Sequence, residues 1–159
     1  MPVWAPRLLA LTPDDFDFTK GTVTINKSYQ RLNKRDMITT PKTERSNRTI
    51  NMPKFLCEEM QDYIGSLYDV QPDERIFPVS KHFLVHEMER GCKASGVKRI
   101  RIHDLRHSHV SLLIDMGFTA LAIAERVGHE AIDITYRYAH LFPPRQTEMA
   151  TKLNMERGI

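Results

Sequence analysis

Apolar and polar residues alternate along TVTINKSYQ, Thr22 to Gln30, in a stretch rich in β-branched side chains. This two-residue period predicts a strand. DMITT, Asp36 to Thr40, and RSNRTINM, Arg45 to Met52, predict two more, with Pro41 and Lys42 at the turn between them. The period then lengthens to that of a helix. PKFLCEEMQDYIGSLY opens with Pro53 at the first helical position and sets Phe55, Leu56, Met60, Ile64 and Leu67 on one face. SKHFLVHEMERGCKASG offers Ser80 as N-cap, Phe83 and Leu84 early in an apolar stripe, and Gly96 as the stop. From His103 onward helical spacing dominates, through HDLRHSHVSLLIDMG, TALAIAERVG and EAIDITYRYAH. A last amphipathic stretch runs from Pro143 and Pro144 towards Leu153. The pattern predicts an α+β fold: a mainly helical body beside a small three-stranded antiparallel sheet.

Size and composition bound this picture without changing it. A chain of 159 residues, 41% hydrophobic and 27% charged, suits one soluble domain with a real core, plus small appendages at most. No stretch approaches the ~18 apolar residues of a membrane span, and none reads as a signal peptide. Cys57 and Cys92 are far apart within helical patterns, so they are expected as reduced thiols of a cytoplasmic protein.

Charge adds more through its distribution than through its total of +3. Arg31, Lys34, Arg35, Lys42, Arg45 and Arg48 crowd one segment, opposed only by Asp36 and Glu44. Lys93, Lys98, Arg99, Arg101 and Arg106 crowd a second, with Asp104 as the acid. Two basic segments flanking acidic helices suggest a one-sided field facing a polyanion.

The densest chemistry lies in RIHDLRHSH, residues 101–109. HDLRH places His103 and His107 four apart with an acid between, as a helix-borne metal pair would. Asp104 is shorter than the usual glutamate, however, and a fixed cation at Arg106 opposes a divalent metal. A phosphate site accounts for more. His103 and Arg106 share a face at a helix start, where backbone N–H groups already favour an anion. The planar guanidinium grips two phosphate oxygens at once. Further on, RVGHEAIDITYRYAHL brings His129, Tyr136 and Tyr138. Tyrosine paired with an Arg/His phosphate clamp can attack phosphorus and hold a covalent link.

HDLRHSHVSLLIDMG, ERVGHE and YRYAH, in that order and spacing, resemble the catalytic domain of the tyrosine recombinases, the integrases of phages and conjugative elements. LLALTPDDFDFTKGTVTI resembles the segment after that family's first catalytic arginine, and ITTPKTERSNRTINMP its hairpin. The likeness runs from Leu8 to about Leu141. It implies that Lys42 is the general acid for the leaving 5′ hydroxyl. It implies that His103, Arg106 and His129 bind the scissile phosphate, and that Tyr138 is the nucleophile, with Tyr136 a packing residue. Arg31, Lys34, Arg35, Arg45, Arg48, Lys98, Arg99 and Arg101 are then expected to hold DNA. The implied reaction is site-specific recombination through a 3′-phosphotyrosine, with neither metal nor other cofactor. The implied partners are double-stranded DNA at attachment sites and further protomers in a tetrameric synapse, in the cytoplasm at the nucleoid, with no membrane.

The resemblance fails at one place. The family's first arginine falls on Trp4 and its acid on Arg7, with Pro6 expected to disturb the helix. Residues 1–7 therefore read as an atypical or truncated start to a catalytic domain over 8–159, without the family's core-binding domain and with weak activity. Two other readings stand beside this one. TALAIAERVGHEAIDITYRYAH also reads as a helix–turn–helix, which would make the chain a DNA-binding module without chemistry. HDLRH also reads as a metal-dependent hydrolase.

Overall fold

A computed structural model describes residues 4–32, 35–40, 47–128, 137–142 and 146–156. The chain divides into two compact units, Met1–His107 and Ser108–Ile159. Among the described residues no helix is long and apolar enough to cross a membrane.

The first unit opens with a short helix, α1 (Trp4–Leu8), and a 3-10 turn, Pro13–Asp15. Pro6 sits inside α1, against the expectation that it would disturb a helix there. It lies in the first turn, where a backbone N–H has no intrahelical acceptor, so its missing donor costs nothing. Thr12 starts the 3-10 turn, giving its backbone N–H and its hydroxyl to Asp15 Oδ2 at 2.8 and 3.1 Å.

Five strands follow: β1 (Phe16–Asp17), β2 (Thr22–Ile25), β3 (Ser28–Leu32), β4 (Arg35–Thr39) and β5 (Arg48–Asn51). The sheet is three-stranded and antiparallel as expected, but it is built from β1, β2 and β5. β3 and β4 form a separate two-stranded ribbon, pairing Tyr29 with Ile38 and Arg31 with Asp36. The run from Thr22 to Gln30 is thus two strands, not one. The break falls at Asn26 and Lys27. Lys27 Nζ reaches back to Asp15 Oδ2 at 2.9 Å and to Thr12 Oγ1 at 2.7 Å, giving the nearly buried Asp15 carboxylate its cation. That contact lies where the chain passes from one sheet to the next.

Helices α2 (Lys54–Ser66) and α3 (Lys81–Ser95) follow the local signals. Pro53 stands one place before α2 rather than within it. The Ser80 hydroxyl accepts from the Phe83 N–H at 3.2 Å, a cap worth about 1 kcal/mol. Gly96 ends α3 at φ 72°, a backbone state that only glycine adopts freely. Leu9, Ala10 and Tyr29 form a buried cluster here, with Phe77, Val79 and Leu84 packed against it.

Helix α4 (Asp104–Asp115) begins in the first unit and ends in the second, which continues with α5 (Ala120–Val127), a 3-10 turn (Ala139–Leu141) and α6 (Gln146–Glu156). Val110 and Ile114 of α4 meet Ile123, Ala124 and Val127 of α5 in the core of the second unit. Cys92 is buried, Cys57 half-buried, and both are free thiols.

Candidate active site

The start of α4 is held by charge. Asp104, its first residue, accepts from the Arg101 backbone N–H at 2.9 Å and from the Arg101 guanidinium at 2.9 to 3.3 Å. Those hydrogen bonds hold the Asp104 carboxyl below its ordinary range. An acid so engaged is poorly placed to ligate a metal, which weakens the hydrolase reading of HDLRH. Among the described residues no three His, Cys, Asp or Glu side chains gather as a metal set.

His103 precedes the helix and meets His107 edge-on, ring centroids 4.7 Å apart and planes 86° apart. Its Nδ1 is buried with no hydrogen-bond partner among the described residues. Burial first, then the charges of His107 and Arg106, hold the imidazole below its ordinary pKa. The ring is therefore neutral at neutral pH and can give one hydrogen bond.

Arg106, on the first turn of α4, belongs to a larger group. Arg48 on β5 is half-buried, and its pKa is pushed down to about 10 by burial, then by Arg7 and Arg106 nearby. Burial also lowers Arg7. Within the first unit, Arg7 of α1 and Arg106 of α4 thus both lie near enough to the half-buried Arg48 of β5 to act on its charge. Desolvated cations in such proximity raise each other's energy, and an anion between them lowers it. Arg48, expected to hold DNA, is half-buried on β5 within the influence of Arg7 and Arg106. The approach of Arg7 to Arg48 is a long-range outcome with no local signal in the sequence.

The other basic residues are more exposed and several meet acids. Arg31 lies 3.5 Å from Asp36, Arg99 pairs with Glu89, and Arg101 pairs with Asp104. Arg35 and Lys98 are exposed. Lys34, Lys42, Arg45, His129 and Tyr136 lie outside the described residues.

Tyr138 belongs to the second unit. It enters the 3-10 turn Ala139–Leu141, and its half-buried ring packs with Phe142 against the Val110–Val127 core.

One further arginine of the first unit is engaged in structure rather than chemistry. Arg75, only 14% exposed, donates from Nη1 to the carbonyls of Leu9 and Phe77 at 3.1 and 3.2 Å. Its Nη2 donates to Asp36 Oδ2 at 3.2 Å. It thereby ties the β3–β4 ribbon to the segment after α1 and to residues 77–79.

Residues 7–145 match the family model described as the phage integrase family. The chain is 35% identical to the ICEBs1 integrase of Bacillus subtilis over 93% of its own length, and 26% identical to a putative prophage phiRv2 integrase of Mycobacterium tuberculosis over 93%. It spans less than half of those relatives, 44% and 42% respectively. Its fold matches the Tn1549 transposon integrase solved in complex with circular intermediate DNA, at TM-score 0.73 and 18% identity. That match covers 97% of this chain and 54% of the other. The α+β architecture is shared with that integrase, and the chain belongs to the phage integrase family.

Proposed function

We propose that this chain carries the strand-cleaving chemistry of a site-specific DNA recombinase. Tyr138 attacks the phosphorus of a scissile phosphodiester in duplex DNA. A bond forms between the phenolic oxygen and phosphorus while the bond from phosphorus to the 5′ oxygen breaks. The leaving 5′ oxygen takes a proton from Lys42, and the phenolic proton passes to solvent. The product is a 3′-phosphotyrosine, which a 5′ hydroxyl attacks in reverse to rejoin a strand without ATP.

The observation that carries this reading is the meeting of Arg48 and Arg106 in one partly buried cationic place, with His103 beside Arg106. Phosphoryl transfer builds charge on the non-bridging oxygens, and preorganised cations in a desolvated setting stabilise it most. Arg106 and neutral His103 are the phosphate contacts, with His129 a third. Arg7 and Arg48 raise the local positive potential. Exposed Arg35 and Lys98, with Arg31, Lys34, Arg45, Arg99 and Arg101, hold the flanking DNA backbone, and affinity falls with salt as counterions are released. The names of the relatives, the ICEBs1 integrase and a putative prophage integrase, support integration of DNA as the process; attachment-site duplexes are the substrate and further protomers the partners, in the cytoplasm at the nucleoid.

Trp4 stands where the resemblance places an arginine. A missing preorganised donor of that kind costs roughly 3–4 kcal/mol of barrier, on the order of a hundredfold to a thousandfold in rate. The chain as it stands therefore cleaves slowly. A nicked suicide duplex, which traps the cleaved state, tests the reading on a denaturing gel. A slowly accumulating protein–DNA band that survives denaturant supports it. Binding to the same duplex with no such band after prolonged incubation supports a binding module instead.

A further inference from the structure

Helix α3 carries a second histidine pair that the chemistry above does not use. His82 and His86 are four residues apart, both exposed, and share one helix face. Their rings meet edge-on with centroids 4.3 Å apart and planes 87° apart. Their Nε2 atoms stand 2.8 Å from each other. Two imidazoles hold that spacing only when one nitrogen donates its hydrogen to the other's lone pair, or when both lone pairs are directed at a shared cation.

The spacing is itself informative. A metal bound to imidazole at about 2.0 Å places two cis nitrogens about 2.8 Å apart when the bite angle is a right angle. A tetrahedral angle opens the same pair to about 3.3 Å. The His82–His86 separation thus suits the square-planar or tetragonal geometry of Cu(II) and Ni(II) better than the tetrahedral geometry of zinc. We propose that the Nε2 atoms of His82 and His86 form a two-point chelating site on α3 for a late first-row divalent cation of right-angle geometry, with water completing the shell.

The contrast with His103 and His107 sharpens the assignment. Those rings also meet edge-on across one helical turn, but Arg106 stands between them in sequence and lies close enough to lower the His103 pKa. Phe83, Leu84 and Val85 stand between His82 and His86, so the turn itself brings no cation. A chelate joining residues four apart also clasps one turn of α3. Binding to the folded chain alone then raises its stability by mass action.

Ni(II) is the probe of choice, because it takes right-angle geometry without redox chemistry at Cys57 or Cys92. Tag-free, metal-free full chain is titrated with nickel chloride by calorimetry in a non-coordinating buffer at neutral pH, and its Tm is followed in parallel. One equivalent is expected to bind and to raise Tm. His82→Gln and His86→Gln are each expected to weaken binding by about tenfold or more and to abolish the Tm rise, because either leaves a single ligand. His103→Gln and His107→Gln are expected to leave both readouts unchanged. Binding that survived His82→Gln and His86→Gln, binding lost in His103→Gln, or no Ni(II) binding by the parent chain would each overturn the assignment.

Discussion

The guanidinium of Arg75 lies over the ring of Tyr29, with Cζ 3.9 Å from the ring centroid. The same two residues converge on Asp36, the Tyr29 hydroxyl donating to Oδ1 at 2.9 Å and Arg75 Nη2 to Oδ2 at 3.2 Å. Burial first, then the bond to Asp36, holds the Tyr29 phenol above its ordinary pKa, so it remains a donor. Arg75 serves three segments at once: the residue after α1, the β3–β4 ribbon and residues 77–79.

Arg75→Met is expected to destabilise the chain by about 2 kcal/mol, because it leaves the carbonyls of Leu9 and Phe77 without this donor, while Asp36 keeps Tyr29 and Arg31. Arg75→Lys keeps the charge but loses the fork, and a smaller loss is expected. Tyr29→Phe removes one hydrogen bond and keeps the ring, costing about 1 kcal/mol. Urea midpoints of the three variants give the ranking. Equal losses for Arg75→Lys and Tyr29→Phe would show that the fork across the carbonyls contributes nothing.

The cationic group makes an electrostatic prediction. Replacing Arg7 by an acid puts a carboxylate beside Arg48 and Arg106. Arg7→Glu is expected to stabilise the chain by about 1 kcal/mol, a figure kept small because Arg7 is partly solvated. Added sulfate is expected to raise the Tm of the parent chain more than that of Arg7→Glu, because the acid already fills the place of the anion. Thermal unfolding with and without sulfate, at matched ionic strength, checks both. Destabilisation by Arg7→Glu together with an undiminished sulfate effect would contradict the cluster.

His103 sets a pH dependence whose sign follows from its burial. Its folded pKa lies below the ordinary 6.5, first through burial and then through His107 and Arg106. Between the folded value and 6.5 the unfolded chain binds a proton that the folded chain refuses. Stability is therefore fully present above that window and falls as pH drops through it. His103→Gln is expected to flatten this fall, measured as the difference in urea midpoint between about pH 7.5 and about pH 5.5. An identical fall in the variant would place the titration elsewhere.

Legibility in the sequence followed the range of the forces involved. Helix ends were readable because capping is local: Ser80 and Gly96 each act within one turn of their own helix. The strands at Arg35–Thr39 and Arg48–Asn51 were readable from alternation. Their partners were not. The division of Thr22–Gln30 between two sheets depends on Lys27 meeting Asp15, and β1 has only two residues in which to show a period. At the candidate site, the His103–Arg106 spacing was visible because it lies on one helical turn. The grouping of Arg7, Arg48 and Arg106 was not, since three segments distant in sequence bring it about.

The central claim is that Tyr138 becomes joined to DNA, and the direct measurement is to isolate the joined peptide. The chain is given an arginine at position 4, a glycine at 6 and an acid at 7 by Trp4→Arg, Pro6→Gly and Arg7→Glu. It is then incubated with a suicide duplex carrying the crossover site of its element, digested, and analysed by mass spectrometry. The account predicts a nucleotide-bearing peptide linked through Tyr138, formed faster than by the parent chain, lost in Tyr138→Phe and retained in Tyr136→Phe. An adduct that persisted in Tyr138→Phe, or a restored chain that bound this duplex and formed none, would contradict it.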